Sequence, residues 1–299
     1  MDRARLLALA ALGLAVLIPA RSSALNGRPP SLSAESVLLL DPDGKVIYAK
    51  NPDEAHAPAS LVKMMTLYLA LEDIALGLVQ WDEPVRVSRH AMLTPRYRMG
   101  LRTGEQVAFR VLLEGVGVAS ANDAATAVAE HLSNGNEEAF VSRMNLKAHE
   151  LELTQTRFTN PHGLPDPAQR STAKDMAELI SRLLRDYPAS RTILGGQTFI
   201  YRGRVYARSI PLFNDPGGVQ ALKTGYTQEG GYNLAVAAWR SGQQFLMVVL
   251  GARSRGRSFL DARKILQYGF VEAGLAPEPD ESRQVPVRKP VRSFHGRRG

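Results

Sequence analysis

Apolar residues near both ends of the folded region alternate with turn residues as they do in β-hairpins. Residues 36–40 and 45–49 are rich in β-branched and large apolar side chains, and they flank the turn sequence Asp41-Pro42-Asp43-Gly44. Residues 232–239 and 244–251 form a second pair of apolar runs, joined by Ser241-Gly242. Short β-prone runs separated by Gly, Asp and Ser predict antiparallel hairpins, so we expect strands on both sides of the middle of the chain.

The middle of the chain is predicted to be mostly helical. Residues 61–71 are apolar on nearly every side of a helix, which is typical of a helix buried all round. Residues 98–105 are predicted to form an exposed loop, and Asn122 and Asp123 to cap the helix that follows them. Apolar spacing predicts further helices over residues 107–116, 124–132, 137–151, 174–184 and 258–269. The stretch from residue 60 to about residue 152 is therefore predicted to form a helical subdomain.

The first 24 residues are predicted to be an export signal. Arg3 and Arg5 precede an apolar run over residues 6–18, and small residues up to Ala24 offer a cleavage site. The apolar run is shorter than the ~20 residues that a membrane-spanning helix needs. We therefore expect a mature protein that begins after Ala24, in the periplasm or cell envelope.

Composition narrows the class of protein. The chain has no cysteine among its 299 residues, so thiol catalysis, Cys-ligated zinc and disulfides are excluded. The formal net charge of +8 suits an acidic envelope polymer or an anionic membrane surface, and export argues against a nucleic-acid partner. Residues 275–299 are basic, Pro-containing and poor in apolar residues, which predicts a disordered, solvated tail. Weak contact of this tail with a membrane or a wall polymer is the alternative. The folded domain is expected over residues 25–274.

Candidate chemistry begins with Ser60 and Lys63, at the start of the apolar helix. Side chains three residues apart share one face of a helix and lie within reach of each other. A serine becomes a nucleophile when a neighbouring base takes its proton, and a lysine is such a base when burial or nearby cations lower its pKa. The same spacing recurs at Ser171 and Lys174. The pair alone therefore does not identify a site.

Two more short motifs follow the first along the chain. Ser60-Leu61-Val62-Lys63 precedes Ser120-Ala121-Asn122, which precedes Lys223-Thr224-Gly225. In this order the motifs resemble those of the serine penicillin-recognising enzymes. The flanking residues 120–125, 156–164 and 247–252 resemble the D-alanyl-D-alanine carboxypeptidase branch of that family. The resemblance extends from about residue 36 to residue 274.

The resemblance implies a fold and a set of roles. The implied fold is of the α/β (α+β) class and β-lactamase/transpeptidase-like: an antiparallel sheet flanked by helices, with a helical subdomain that supplies Ser120. Ser60 is the implied nucleophile, Lys63 its base and Ser120 a proton relay. The backbone N–H groups of Ser60 and Tyr226 are the implied oxyanion hole. The implied substrate-binding residues are Asn122, Lys223, Thr224, Gly225 and Tyr226.

The implied reaction is release of the terminal D-alanine from peptidoglycan stem peptides, with no cofactor or metal and with β-lactam antibiotics as inhibitors. A D,D-endopeptidase, a β-lactamase and a non-catalytic wall-binding module remain alternatives. His162, within Pro161-His162-Gly163, is interpreted as a residue that shapes a loop rather than as a base. Arg257 is a further candidate for binding a carboxylate.

Overall fold

The computed structural model describes residues 29–95 and 97–275. The predicted export signal and nearly all of the predicted tail lie outside the described residues, so both stay predictions, as do the domain bounds 25–274. Within the described ranges, no helix has the length and apolar character that a membrane span requires.

An antiparallel five-stranded sheet forms the centre of the molecule. The strands are β1 (Ser36–Leu40), β2 (Val46–Lys50), β3 (Pro84–Arg86), β4 (Gln106–Ala108), β5 (Thr198–Tyr201), β6 (Arg204–Ala207), β7 (Val219–Thr227), β8 (Gly231–Arg240) and β9 (Gln243–Ala252). The order in the sheet is β2-β1-β9-β8-β7, and β3–β4 and β5–β6 form two separate pairs. Leu38 of β1 lies opposite Val248 of β9, which joins the two predicted hairpins. The predicted antiparallel sheet is confirmed.

Helices cover both faces of this sheet. They are α1 (Lys63–Ala75), α2 (Arg89–Leu93), α3 (Phe109–Gly117), α4 (Asn122–His131), α5 (Glu137–Glu150), α6 (Ala173–Asp186), α7 (Ala189–Gly195) and α8 (Arg255–Glu272). Alternate residues of β9 enter two different cores: Val248 packs with α1, α3, α4 and α6, whereas Met247 packs with α8. Because both faces are covered, β8 and β9 are apolar almost throughout.

The predicted buried helix is α1. Every residue from Lys63 to Leu71 is buried, because α3, α4, α5, α6 and α7 pack around this segment. A 3-10 turn over Ala59–Val62, preceded by Pro58, leads into it. Ser60 therefore lies at the entry to the helix, one turn before Lys63.

Residues 98–105 form the predicted loop and are mostly exposed, although Met99 and Leu101 within it are buried. Two other local predictions in the helical subdomain were wrong. Helix α3 begins at Phe109 rather than residue 107, because residues 106–108 pair with β3. Asn122 and Asp123 lie inside α4, whose N-cap is Ala121 and has no side-chain cap. Both side chains make other contacts, described below. The short helices α2 and α7 had no sequence prediction.

Candidate active site

A cavity of about 610 Å³ lies between the edge strand β7 and the helical subdomain. Its wall includes seven of the predicted residues: Ser60, Ser120, Asn122, Lys223, Thr224, Gly225 and Tyr226. Lys63 has no exposed surface and reaches the site from within the core. The fold thus brings together residues that are as far apart in sequence as Ser60 and Tyr226.

The backbone around Ser60 is held in an unusual conformation by close neighbours. Ala59 has a φ of +51°, in the left-handed region that costs a non-glycine residue energy. A Cβ on Gly163 would lie 2.0 Å from the Ala59 carbonyl oxygen, and a Cβ on Gly225 would lie 3.0 Å from the Ser60 nitrogen. Only glycine allows the approach at residue 163, and a side chain at residue 225 would require its neighbours to shift by a few tenths of an ångström. The nucleophile candidate is therefore packed between the loop that contains Gly163 and strand β7.

Lys63 is arranged as a base for Ser60. Its Nζ lies 3.1 Å from Ser60 Oγ and 2.6 Å from Asn122 Oδ1, and it also donates to the carbonyl oxygen of His162. Burial lowers the pKa of Lys63 to about 7, although Asp123 acts in the opposite direction. A lysine with such a pKa is largely able to accept a proton near neutral pH.

Ser120 and Lys223 form a second polar pair across the cavity. Lys223 Nζ donates to Ser120 Oγ at 2.8 Å and to the carbonyl oxygen of Thr224 at 2.9 Å. Ser120 has a φ of +54°, so the chain turns sharply just before α4 and presents this hydroxyl to the cavity. Burial, followed by the charges of Lys63 and Arg208, holds the pKa of Lys223 well below its usual range.

Asn122 and Asp123 fix the wall of the cavity instead of capping α4. Asn122 accepts from Lys63, and its Nδ2 donates to the Pro95 carbonyl at 3.0 Å. The fully buried Asp123 carboxylate accepts from the backbone N–H groups of Met99, Gly100, Leu101 and Ala124. These bonds explain why the predicted loop over residues 98–105 is anchored in the core.

His162 serves the site through its backbone. Its carbonyl oxygen accepts from Lys63, and its Nδ1 accepts from the Leu164 N–H at 3.2 Å. Burial, with a smaller effect of the Lys63 charge, lowers the pKa of His162 to about 3, so the ring is neutral at physiological pH. This geometry agrees with the interpretation of His162 as a loop-shaping residue.

The end of β7 and the start of α8 complete the cavity. Tyr226 is 50% exposed, and its ring lies 4.3 Å from that of Tyr232, measured between centroids. Arg255 and Ser258 of α8 line the cavity, whereas Arg257 does not. The carboxylate-binding candidate on this helix is therefore Arg255 rather than Arg257.

Sequence reasoning missed Arg208, a partly buried cation in the same wall. Its guanidinium donates to the carbonyl oxygens of Gly117, Leu194, Gly196 and Leu222. Burial lowers its pKa to about 10. No motif marks this arginine, because its partners are backbone carbonyls from distant parts of the chain.

Positive side chains and hydroxyls dominate the chemistry of the cavity. Among the described residues, its wall includes Arg208, Lys223 and Arg255 and no Asp or Glu. The described residues also contain no cluster of three or more His, Cys, Asp or Glu side chains suited to a metal ion. The arrangement offers a serine hydroxyl, a buried amine beside it and cations for an anionic ligand.

The second Ser-x-x-Lys copy lies elsewhere and has ordinary contacts. Ser171 Oγ is 2.7 Å from Thr156 Oγ1, and Lys174 pairs with Asp53 at 3.7 Å. Neither residue lines the cavity. The structure thus agrees with the order of the three motifs, which singles out the Ser60 copy.

Comparison with known proteins identifies the family. The family model described as D-alanyl-D-alanine carboxypeptidase matches residues 23–254. The D-alanyl-D-alanine carboxypeptidase DacA of Haemophilus influenzae is 36% identical over 248 residues, which are 81% of this chain and 63% of that protein. DacF of Bacillus subtilis is 35% identical over 250 residues, 82% of this chain and 64% of the relative. The chain thus spans less than two thirds of the length of these two relatives.

A relative named as an endopeptidase, and a solved structure of another protein, are also similar to this chain. The D-alanyl-D-alanine endopeptidase of Pseudomonas aeruginosa is 31% identical over 293 residues, 91% of each chain. The crystal structure of penicillin binding protein 5 from Haemophilus influenzae matches with a TM-score of 0.79 and 34% identity, over 82% of this chain and 73% of that one. The predicted fold class is therefore confirmed, and the chain belongs to the D-alanyl-D-alanine carboxypeptidase family.

Proposed function

We propose that this protein is a serine-type D-alanyl-D-alanine carboxypeptidase that removes the terminal D-alanine from peptidoglycan stem peptides. One observation carries the proposal: Lys63 is fully buried, has a pKa of about 7 and lies 3.1 Å from Ser60 Oγ. A structural lysine has no need of such a pKa, whereas a base that activates a serine does. The names of the relatives supply the substrate class.

In the proposed reaction Ser60 Oγ attacks the carbonyl carbon between the two D-alanines. Lys63 accepts the serine proton, and the oxyanion forms between the Ser60 and Tyr226 backbone N–H groups. The C–N bond then breaks, and a proton passes through Ser120 to the leaving amine, so that free D-alanine departs. Water then hydrolyses the acyl-enzyme ester at Ser60 and restores the hydroxyl.

The substrate is held by the cationic side of the cavity. Lys223 and Thr224, with Arg255 beyond them, suit the carboxylate of the terminal D-alanine. Asn122 offers its amide to the substrate backbone, and Gly225 leaves room for the substrate along β7. A β-lactam would acylate the same serine. Because the described wall has no carboxylate to activate water, slow hydrolysis of that adduct is expected, which disfavours a β-lactamase.

The place of action is proposed to be the cell envelope, after removal of the first 24 residues. The leader pattern at the N-terminus supports this location. A D,D-endopeptidase that cuts cross-linked peptides is the second candidate, because the endopeptidase relative matches over 91% of both chains.

One assay distinguishes the carboxypeptidase function from the endopeptidase function. Purified protein is incubated with a stem peptide that ends in D-Ala-D-Ala and, separately, with a cross-linked peptide dimer. We expect release of free D-alanine from the first, loss of that release in Ser60→Ala with unchanged folding, and little cleavage of the dimer. Faster cleavage of the dimer than of the peptide supports the endopeptidase instead, and activity retained by Ser60→Ala contradicts both.

A further inference from the structure

A buried asparagine beside the cavity has no part in the reaction described so far. Asn233 lies in β8 and is 1% exposed. Its Nδ2 donates to the Ala57 carbonyl at 2.9 Å, and its Oδ1 accepts from the Gly251 N–H at 2.9 Å. One side chain therefore links the segment that leads to Ser60 with the end of β9.

The strand partner of Asn233 also contacts residues 57–60, which we call the nucleophile segment. Asn233 lies directly opposite Gly225 in the β7–β8 register. Gly225 packs so closely that a Cβ there would lie 3.0 Å from the Pro58 oxygen and from the Ser60 nitrogen. Asn233 supplies the bond, and Gly225 supplies the close packing.

The nucleophile segment needs such support because its backbone is strained. Ala59 has a φ of +51°, and a residue in this region keeps that conformation only where its surroundings enforce it. In the part of the chain that the structure describes, Asn233 is the one side chain that hydrogen-bonds to the backbone of residues 57–60. Gly230 also crowds this segment, since a Cβ there would lie 2.4 Å from the Ala57 oxygen.

We infer that Asn233 is a positioning residue for Ser60: its bond to Ala57 sets where the Ser60 hydroxyl and N–H lie relative to strand β7. The inference rests on the proposed function, in which Ser60 is the nucleophile. The proposed oxyanion hole joins an N–H on the 3-10 turn to an N–H on β7, two segments that are far apart in sequence. Their relative position depends on non-covalent contacts, and Asn233 provides a directional one.

The test uses Asn233→Asp. The carboxylate keeps an acceptor for the Gly251 N–H but offers no donor to Ala57 and repels its carbonyl oxygen. With labelled penicillin, we expect the maximal acylation rate to fall about 10- to 100-fold, while the half-saturating concentration changes less than about threefold. Burial favours the protonated acid, whose O–H can again donate to the Ala57 carbonyl. The difference in maximal acylation rate between the variant and the wild-type protein should therefore become smaller as the pH is lowered.

Asp73→Asn is the matched control. Asp73 is also a buried polar group, paired with Arg143 at 2.8 Å, and lies about 15 Å along α1 from Lys63. We expect this variant to lower the melting temperature at least as much as Asn233→Asp and to keep the maximal acylation rate within about twofold of the wild-type value.

Three results would overturn the inference. The first is a folded Asn233→Asp that is acylated within about twofold of the wild-type rate, and the second is an equal loss of rate in Asp73→Asn. If Asn233→Asp does not fold, Asn233→Ala replaces it. The third result is failure of both variants to fold, which would show that Asn233 is needed for the fold itself. A wild-type protein that is not acylated contradicts the proposed function instead, and the two failures are thereby distinguished.

Discussion

The chemistry at the scale of single residues depends on the protonation state of Lys63. Burial lowers the pKa of this lysine to about 7, and its three hydrogen-bond acceptors are Ser60 Oγ, Asn122 Oδ1 and the His162 carbonyl oxygen. Lys223 has a pKa lowered by burial and by Lys63 and Arg208. Burial therefore keeps Lys63 available as a base, and the charge of Lys63 acts on the pKa of Lys223.

The pKa of Lys63 predicts the pH dependence of acylation. Above a pH of about 7 the amine is neutral and accepts the Ser60 proton, and below it the protonated amine does not. The acylation rate with labelled penicillin should therefore rise about tenfold per pH unit below pH 7 and level off above it. The measurement is the rate at saturating penicillin across this range, in buffers of constant ionic strength.

His162→Asn is the control for this profile. The pKa of His162 is already lowered to about 3, so its ring carries no charge that changes near pH 7. The midpoint of the profile should therefore remain near 7 in this variant, even if the absolute rate falls. A midpoint that moves with the histidine, or a rate independent of pH between about 5 and 8, would contradict the assignment of Lys63 as base.

Some residues of the site could be predicted from the sequence, and others could not. The proximity of Ser60 and Lys63 was predictable from their three-residue spacing, and the order of the three motifs marked this pair rather than Ser171 and Lys174. Arg208 was not, since its partners are backbone carbonyls that only the folded chain brings together. Asn233 left one signal, a polar residue in an otherwise apolar strand, but its partner Ala57 lies 176 residues away.

At the scale of elements, the site forms where the loop after Asn160, strand β7 and the 3-10 turn before α1 meet. Gly163 is the closest point of this junction, with a φ of +84° and a Cβ position 2.0 Å from the Ala59 carbonyl oxygen. The loop can approach the turn only because residue 163 has no side chain. The loop in turn presents the His162 carbonyl to Lys63.

Gly163→Ala should therefore disrupt both stability and activity. The alanine would have to adopt a left-handed backbone conformation, and its Cβ would clash with the backbone of Ala59. Together these two effects should lower the free energy of unfolding by about 3 kcal/mol. Displacement of the turn should reduce the acylation rate by about 100-fold or more. Urea unfolding and labelled-penicillin acylation measure the two effects.

Gly104→Ala is the control for Gly163→Ala, because it introduces backbone strain without a steric clash. Gly104 has a φ of +81° but nothing within 4 Å of its Cβ position, so alanine there should cost about 1–2 kcal/mol through backbone strain alone. Its acylation rate should match that of the wild-type protein. Equal effects of the two substitutions on acylation would show that the close approach of Gly163 to Ala59 has no role in the site.

Sequence predicted the elements better than their ends. The apolar runs gave α1 and the strands β8 and β9, since each is buried on nearly all sides. The loop over residues 98–105 is mostly exposed, as predicted, but the burial of Met99 and Leu101 within it was not predicted. Their burial is accompanied by hydrogen bonds from their N–H groups to Asp123, which lies in helix α4. Such tertiary anchoring overrides local preference.

At the scale of the whole molecule, the substrate-binding candidates Lys223, Thr224, Gly225 and Tyr226 lie on one edge of the antiparallel sheet. Strand β7 is the edge strand and faces the helical subdomain across the cavity, so residues from both parts share one site. The order of the three motifs predicted this architecture through the family resemblance. Periodicity alone predicted strands and helices but left their arrangement undetermined.

The central claim is that Ser60, activated by Lys63, is the nucleophile. Its most direct test is mass spectrometry of the protein after incubation with labelled penicillin, followed by mapping of the modified peptide. The account predicts a single adduct on Ser60 that is absent from Ser60→Ala and present in Ser171→Ala. An adduct on Ser171 or any other residue, or no adduct on a folded wild-type protein, would contradict it.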